Sequence, residues 1–391
     1  MSSDTSDIGL IVSELRKVLP DGGPPAALHE PEFDAREREM LLACLDSGWV
    51  SYAGPQVREF EDRLAATCSR KHAIATVSGT AALHAALLVA GVRANDEVLI
   101  PTLTFAATAN AVSYCSATPH LVDSDSDTLG MDPEALRQHL SQIAESRANG
   151  IYNRKTGGRI AAILPVHVLG HPTRDDRLSD VAAEYGLPLI VDSTESLGSL
   201  RDNRPAAAFG QLSVLSFNGN KIVTTGGGGA ILTDDDDMAD RLRHITTTAK
   251  KPHRWAFQHD EVGYNYRMPN LNAALGIAQL DKLHSFVDRK RRLAEAYQAA
   301  CQKLPGISFV SEPAGTRSNY WLNAIRLPSP DLRDRLLESL HAAGIMARPL
   351  WDLMHQLPMF ADAPRSSSLA VSENLQACVV CLPSSPRLAA S

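Results

Sequence analysis

Between Pro31 and about Met268 the chain alternates short apolar runs with stretches of helical periodicity. The runs His72–Val77, Glu97–Ile100, His120–Val122, Ile160–Val166, Leu187–Val191, Leu212–Ser216 and Ala230–Leu232 have the length and apolar content of buried strands. Thr80–Ala90, Ala106–Tyr114, Pro133–Ile143 and Arg174–Tyr185 repeat apolar residues at helical spacing. The alternation predicts βαβ units and an α/β fold, with a mostly parallel central sheet flanked by helices. Ligands in such sheets sit outside the carboxyl ends of the strands. The polar, glycine-bearing insert Arg147–Gly158 reads as a surface loop. The acidic run Asp234–Asp237 reads as a helix start whose carboxylates complement the dipole.

After Met268 one long helical pattern, Leu271–Gln302, leads into a smaller α+β region ending near Pro383. Residues 1–30 read as an N-terminal arm with a short amphipathic helix near Ile8–Val18 and a breaker at Pro20–Pro25. The expected division is an arm over 1–30, a large α/β domain over 31–268 and a small C-terminal α+β domain over 269–391. The tail from Ser384 is expected to fray.

Composition narrows the function. Hydrophobic residues make up 44% and charged residues 21%, an ordinary globular balance. A net charge of −7 argues against nucleic-acid and anionic-membrane partners, so a phosphate-bearing ligand must be held by local donors. The first residues lack a basic start and an apolar stretch, and no apolar run is long enough to span a bilayer, which places the expected compartment in the cytoplasm. Six scattered cysteines make no disulfide framework. Cys378-Val-Val-Cys381 reads as a buried strand, and no metal site is expected.

The candidate chemistry centres on Lys221. It follows the apolar run ending at Ser216 and precedes the four glycines Gly226–Gly229. A lysine entering a glycine-rich turn off a buried strand is unusual; partly desolvated lysines in general lose a proton more easily, and a neutral amine can form a Schiff base. That chemistry belongs to pyridoxal 5'-phosphate (PLP), which also requires an acid for its ring nitrogen and a phosphate cradle. Asp192 ends the run Leu187–Asp192 and could pair with a protonated pyridine, or simply cap a helix. Ser78-Gly79-Thr80 opens an alanine-rich helix whose amides suit a phosphate, although Thr80 could be a plain cap. Phe105 follows a strand end where an aromatic can stack on a ring, or pack in the core. Glu195 lies beside Asp192. The segment Gly263–Asn270 carries Asn265 and Arg267, and Thr246–Trp255 is the most basic patch, with Lys250 and Arg254 as diphosphate candidates. Arg348 and His355 are further binding candidates in the C-terminal region, or plain surface charge on a helix–strand connection. His167 could line the crevice or cap its strand.

Taken in order, serine-glycine-threonine, aromatic, aspartate, serine, lysine and asparagine make a specific set. The chain resembles the PLP-dependent sugar aminotransferases of the DegT/DnrJ/EryC1/StrS type, with the aspartate-aminotransferase fold (fold type I), over about Leu28 to Pro383. Ser216–Gly227 resembles the family's lysine motif, and Gly263–Met268 its segment that reaches a neighbouring subunit's phosphate site. Phe217-Asn-Gly-Asn-Lys221, Thr246-Thr-Thr-Ala-Lys250 and Pro252-His-Arg-Trp255 are most similar to a subgroup serving bacillosamine and legionaminic acid synthesis. That subgroup aminates UDP-linked 4-keto-6-deoxy-N-acetylglucosamine. Asn218 stands where many members have histidine, and Glu195 where many have glutamine or histidine. Both variants match the subgroup. Relatives with histidine at the lysine position are dehydratases, and Lys221 argues against that outcome.

The resemblance implies ping-pong transamination, with L-glutamate leaving as 2-oxoglutarate and pyridoxamine 5'-phosphate passing the amine to the sugar. It implies catalytic roles for Lys221 and Asp192. It also implies cofactor contacts from Gly79, Thr80, Phe105, Asp192, Glu195, Ser216 and Lys221, with Asn265 supplied by the partner of a homodimer. Three rivals remain. A perosamine-type enzyme would take GDP-4-keto-6-deoxymannose. A sugar-binding protein would have kept the fold and lost turnover. A Rossmann dehydrogenase would need G-x-G-x-x-G after its first strand, and Ser78-Gly-Thr-Ala-Ala-Leu83 does not supply it.

Overall fold

The computed structural model describes residues 2–20 and 25–389, with side chains from Ile8 onward. Its centre is a sheet whose spatial strand order is His72–Thr76, Gly229–Thr233, Leu212–Ser216, Ile190–Asp192, Arg159–Ile163, Glu97–Pro101 and Thr118–Val122. Two parallel bridges, Ile163 to Leu189 and Val166 to Asp192, join its two halves. Gly229–Thr233 alone runs against the rest. These strands are nearly continuous apolar runs because helices cover both faces, leaving no polar face to encode as alternation.

The helices fall where the periodicity puts them, and local chemistry sets their ends. Ser78, not Thr80, caps Gly79–Val89, its hydroxyl accepting from the Ala81 amide at 3.1 Å. Asp132 caps Pro133–Ile143, which has proline in its first turn. Asp235 caps Asp236–Thr246, as the acidic run predicts. The helix expected from Arg174 begins at Asp175 and ends at left-handed Gly186.

Three expectations are corrected. Arg147–Gly158 is largely a β-hairpin and not a loop: Ala144–Arg147 pairs with Gly150–Asn153, which also pairs with Arg159–Ile163. Its polarity reflects an exposed sheet edge, and Asn153 turns inward to donate to Glu97 at 2.9 Å. The long helix is two helices, Asn270–Asp281 and Leu283–Cys301. No glycine or proline marks the break at Lys282. Ala273, Ile277 and Phe286 pack in one core while Leu293, Tyr297 and Cys301 pack in another, so the second helix runs from the first core into the second. The tail is not frayed through Ser385. Ser384 and Ser385 are buried, and the Ser384 hydroxyl accepts from the Asn323 amide at 2.8 Å.

The N-terminal helix Ser2–Arg16 packs Ile8, Ile11 and Leu15 into the C-terminal core beside Tyr297, Leu336 and Leu340. Most of the expected breaker, residues 21–24, lies outside the described residues. The C-terminal sheet is antiparallel, built from Ser308–Phe309, Asn323–Arg326, Val379–Leu382 and Arg348–Pro349. Cys381 lies in that sheet, whereas Cys378 closes the preceding helix. Both are buried and free. No helix among the described residues is long and apolar enough to cross a membrane.

Candidate active site

The strands Leu212–Ser216 and Ile190–Asp192 run parallel, so Ser216 and Asp192 emerge at the same sheet edge. Ser78-Gly79-Thr80 joins them there from the strand His72–Thr76. A cavity of about 280 Å³ opens at this edge, as the strand-end rule requires. Its wall includes Gly79, Thr80, Phe105, Asp192, Glu195, Ser216 and Lys221, which are separated by up to 142 positions in sequence.

Lys221 enters on the turn Asn218–Lys221, closed by a bond from its amide to the Asn218 carbonyl at 2.9 Å. Its amine lies 3.5 Å from Glu195 Oε1 and 4.1 Å from the centre of the Trp321 ring. Glu195 is buried, and burial pushes its carboxyl up to about 7, against the opposing pull of Lys221. The Leu169 amide donates to Glu195 Oε2 at 2.8 Å. Leu169 makes this bond from a left-handed backbone at φ 58°, an arrangement that costs on the order of 1–3 kcal/mol.

Asp192 is also buried. Thr108 donates to its Oδ2 at 2.9 Å and the Thr194 amide to its Oδ1 at 3.2 Å. Thr108 is itself met by Thr104 at 2.9 Å, which fixes the carboxylate's orientation. The helix Gly79–Val89 presents its first amides, which have no partner within the helix, to the same space. Glycine at 79 keeps this approach open: a Cβ there would lie 2.9 Å from the Cβ of Ser216, so the serine would have to shift. Amides, a serine hydroxyl and an aspartate around a lysine form a donor set that fits PLP. Phosphate would be held at Gly79, Thr80 and Ser216, and a ring N–H at Asp192.

Phe105 caps Ala106–Tyr114, is 56% exposed, and meets Trp351 edge-on at 6.2 Å between ring centres. Arg348 lines an adjoining cavity of about 470 Å³ that shares Phe105 and Trp351 with the first. The remaining candidates stand outside both cavity walls. His355 is held by Thr102 at 2.8 Å and faces Glu373 at 3.5 Å, with burial lowering its imidazole from the usual range. Arg267 is paired with Glu61 at 2.8 Å. Asn265 is exposed, bridged to Thr247. Lys250 and Arg254 stand on an exposed loop against Phe257 and Trp255, themselves 83% and 76% exposed. His167 neither lines the crevice nor caps its strand through its side chain. Its ring is buried between Ser196 at 2.7 Å and Asp175 at 3.1 Å.

Sequence reasoning missed Thr108, Trp321 and Trp351. Thr108 lies one helical turn after Thr104, a spacing that would place the two hydroxyls together on a helix starting at that strand end. No local signal marks Trp321, which arrives from the C-terminal region.

Comparison with known proteins identifies the family. Residues 31–391 match the DegT/DnrJ/EryC1/StrS aminotransferase family. The chain is 36% identical to a GDP-perosamine synthase of Caulobacter vibrioides over 341 residues, covering 86% of this chain and 87% of that one. It is 33% identical to a GDP-perosamine synthase of Escherichia coli O157:H7 over 361 residues, covering 92% and 93%. A DegT DnrJ EryC1 StrS aminotransferase structure from Brucella abortus superposes with a TM-score of 0.83 at 29% identity, covering 90% and 91%. The chain therefore belongs to the DegT/DnrJ/EryC1/StrS aminotransferase family, as a PLP-dependent sugar transaminase of fold type I.

Proposed function

We propose that this transaminase moves an amino group from L-glutamate to the 4-keto carbon of GDP-4-keto-6-deoxymannose, giving 2-oxoglutarate and a perosamine-type product. The observation that carries the transamination chemistry is the single cavity shared by Lys221, Asp192, Glu195, Ser216 and the Gly79–Thr80 helix start. The guanosine nucleotide draws support from GDP-perosamine synthases of three organisms, 33–36% identical to this chain. A second reading, UDP-linked 4-keto-6-deoxy-N-acetylglucosamine, is favoured by the segments Phe217–Lys221, Thr246–Lys250 and Pro252–Trp255.

PLP, when bound, supplies an electrophilic carbon and an electron sink for the charge left by a breaking C–H bond. Lys221 anchors the cofactor and, once released, carries a proton on Nζ. Asp192, immobilised by Thr108 and Thr194, would accept a hydrogen bond from the cofactor's ring N–H and so support its electron sink. Glu195 and Phe105 would contact the ring. Gly79, Thr80 and Ser216 would hold the phosphate, joined by Asn265 of a second copy in a homodimer. Arg348, on the wall of the adjoining cavity, is assigned to the substrate, and Lys250 and Arg254, on the exposed loop, to its diphosphate, whereas His355 and Arg267 are engaged by Thr102 and Glu61 and receive no substrate contact.

The test is spectroscopic. The PLP-loaded protein should lose its visible band on adding glutamate. Recovery with the GDP sugar and not the UDP sugar supports the proposal, and the reverse moves the assignment to the second reading. A protein that forms no visible band with PLP would overturn the role of Lys221.

A further inference from the structure

Trp321 comes from the C-terminal region, about one hundred positions after Lys221, yet its ring centre lies 4.1 Å from the Lys221 amine. The ring is tied at its nitrogen and its backbone is held on both sides. Its Nε1–H donates to the carbonyl of Asn220, the residue before Lys221, at 2.8 Å. Its backbone amide donates to Asn319 Oδ1 at 2.7 Å. Its carbonyl accepts from the buried amine of Lys290 at 3.1 Å. The indole is therefore tied to the same turn that carries the lysine, and its place relative to Nζ is fixed by the backbone.

Glu195 stands 3.5 Å from the same amine. An ammonium at that point meets a carboxylate and the electron-rich face of an aromatic ring, both partly shielded from water. A neutral amine gains little from either. The amine has two tasks in a transamination, covalent anchor and proton carrier, and only the second needs a resting place for a charged nitrogen. It receives one proton from the α carbon of the amino donor and delivers that proton to the acceptor carbon, so no net charge is left on the chain.

We propose that Trp321 is a positioning residue for this proton transfer: its ring face, locked to the lysine turn through Asn220, cradles the released Lys221 ammonium opposite Glu195. The inference rests on Lys221 being the reactive lysine. It assigns to Trp321 no contact with the sugar or its nucleotide.

The experiment compares Trp321→Leu and Trp321→Phe with the unaltered PLP-loaded enzyme, using single turnovers with ordinary and α-deuterated glutamate. Leucine removes the ring face and the Nε1–H anchor, whereas phenylalanine removes only the anchor and keeps a face. The expected result for Trp321→Leu is a kcat lower by roughly tenfold, the scale of a lost cation–π contact in a partly dry site. KM for glutamate and for the keto sugar should be unchanged, and the deuterium effect larger because proton transfer has become the slow step. Trp321→Phe should recover most of the rate. The inference is overturned if the loss appears in KM alone, if the deuterium effect does not change, or if phenylalanine is as damaging as leucine. Failure to form the visible band in the unaltered protein would instead overturn the role of Lys221, so the two failures are distinguishable.

Discussion

Lys221 and Lys290 are both lysines withdrawn from water, both meet Trp321, and they have opposite roles. Lys221 retains 13% side-chain exposure, opens onto the 280 Å³ cavity and has Glu195 within ion-pair distance. Lys290 is fully buried, with no carboxylate partner among the described residues. Its amine donates to the carbonyls of Trp321 and Ser384, and burial holds it well below the usual ammonium range. Burial alone therefore does not identify a reactive lysine. What separates the two is space beside the amine and a carboxylate able to answer its charge. Lys290 has neither, and it pins the C-terminal tail and the Trp321 backbone together.

The sharpest way to break this comparison is to remove each amine. Lys221→Ala should abolish transamination and the visible band while leaving the fold intact, because nothing else in the cavity can act as covalent anchor and proton carrier. Near-normal turnover would end the assignment. Asp192→Asn probes the electron sink from the opposite wall. Its kcat should fall by about 10²–10³-fold, the scale of losing one preorganised charge interaction, with little change in glutamate KM.

Glu195 adds a pH dependence. Its carboxyl keeps a proton to about 7 in the folded protein, whereas an unfolded one ionises near 4.5. Between those values the folded state binds more protons, so the stability due to this group is full below about 4.5 and is lost as pH rises through 7. Glu195→Gln removes the effect. In urea unfolding of the cofactor-free protein, the variant should gain on the parent by on the order of 3 kcal/mol between pH 4.5 and 7.5. Parallel curves would mean the carboxylate is compensated better than its burial implies.

Lys290→Met tests the other side of Trp321. It leaves two buried carbonyls without a donor and should cost about 1–3 kcal/mol of stability, read as a lower urea midpoint. The folded fraction should keep kcat within about twofold. A hundredfold loss of kcat in folded protein would erase the distinction between the two lysines. The smallest effect is expected from Gly79→Ala, where the new Cβ meets Ser216 at 2.9 Å. PLP affinity should weaken by roughly tenfold, about 1.4 kcal/mol, with saturated turnover nearly unchanged.

Much of the fold was legible because burial on both faces writes parallel strands as uninterrupted apolar runs. Leu212–Ser216 and Ala106–Tyr114 begin and end at the expected residues. The errors fall at three places. Lys282 breaks a helix with no breaker in the sequence, the 144–153 hairpin looks like a loop because its edge is wet, and Ser384 looks like a free tail although Lys290 holds its carbonyl. For Ser384 the deciding contacts come from distant parts of the chain, Lys290 and Asn323, whereas the hairpin is a local pairing whose wet, polar residues do not announce a strand.

The same division runs through the site. The sequence by itself determined which groups stand at the strand ends, because a lysine, an aspartate and a helix-opening glycine carry their chemistry in their identity and local spacing. Only the tertiary structure decided which of them share a cavity, that Thr108 orients Asp192, and that Glu195 and Trp321 flank the amine of Lys221. The physical reason is that charge stabilisation and desolvation act through distances of a few ångströms, and those distances exist only once the sheet has brought remote segments to one edge.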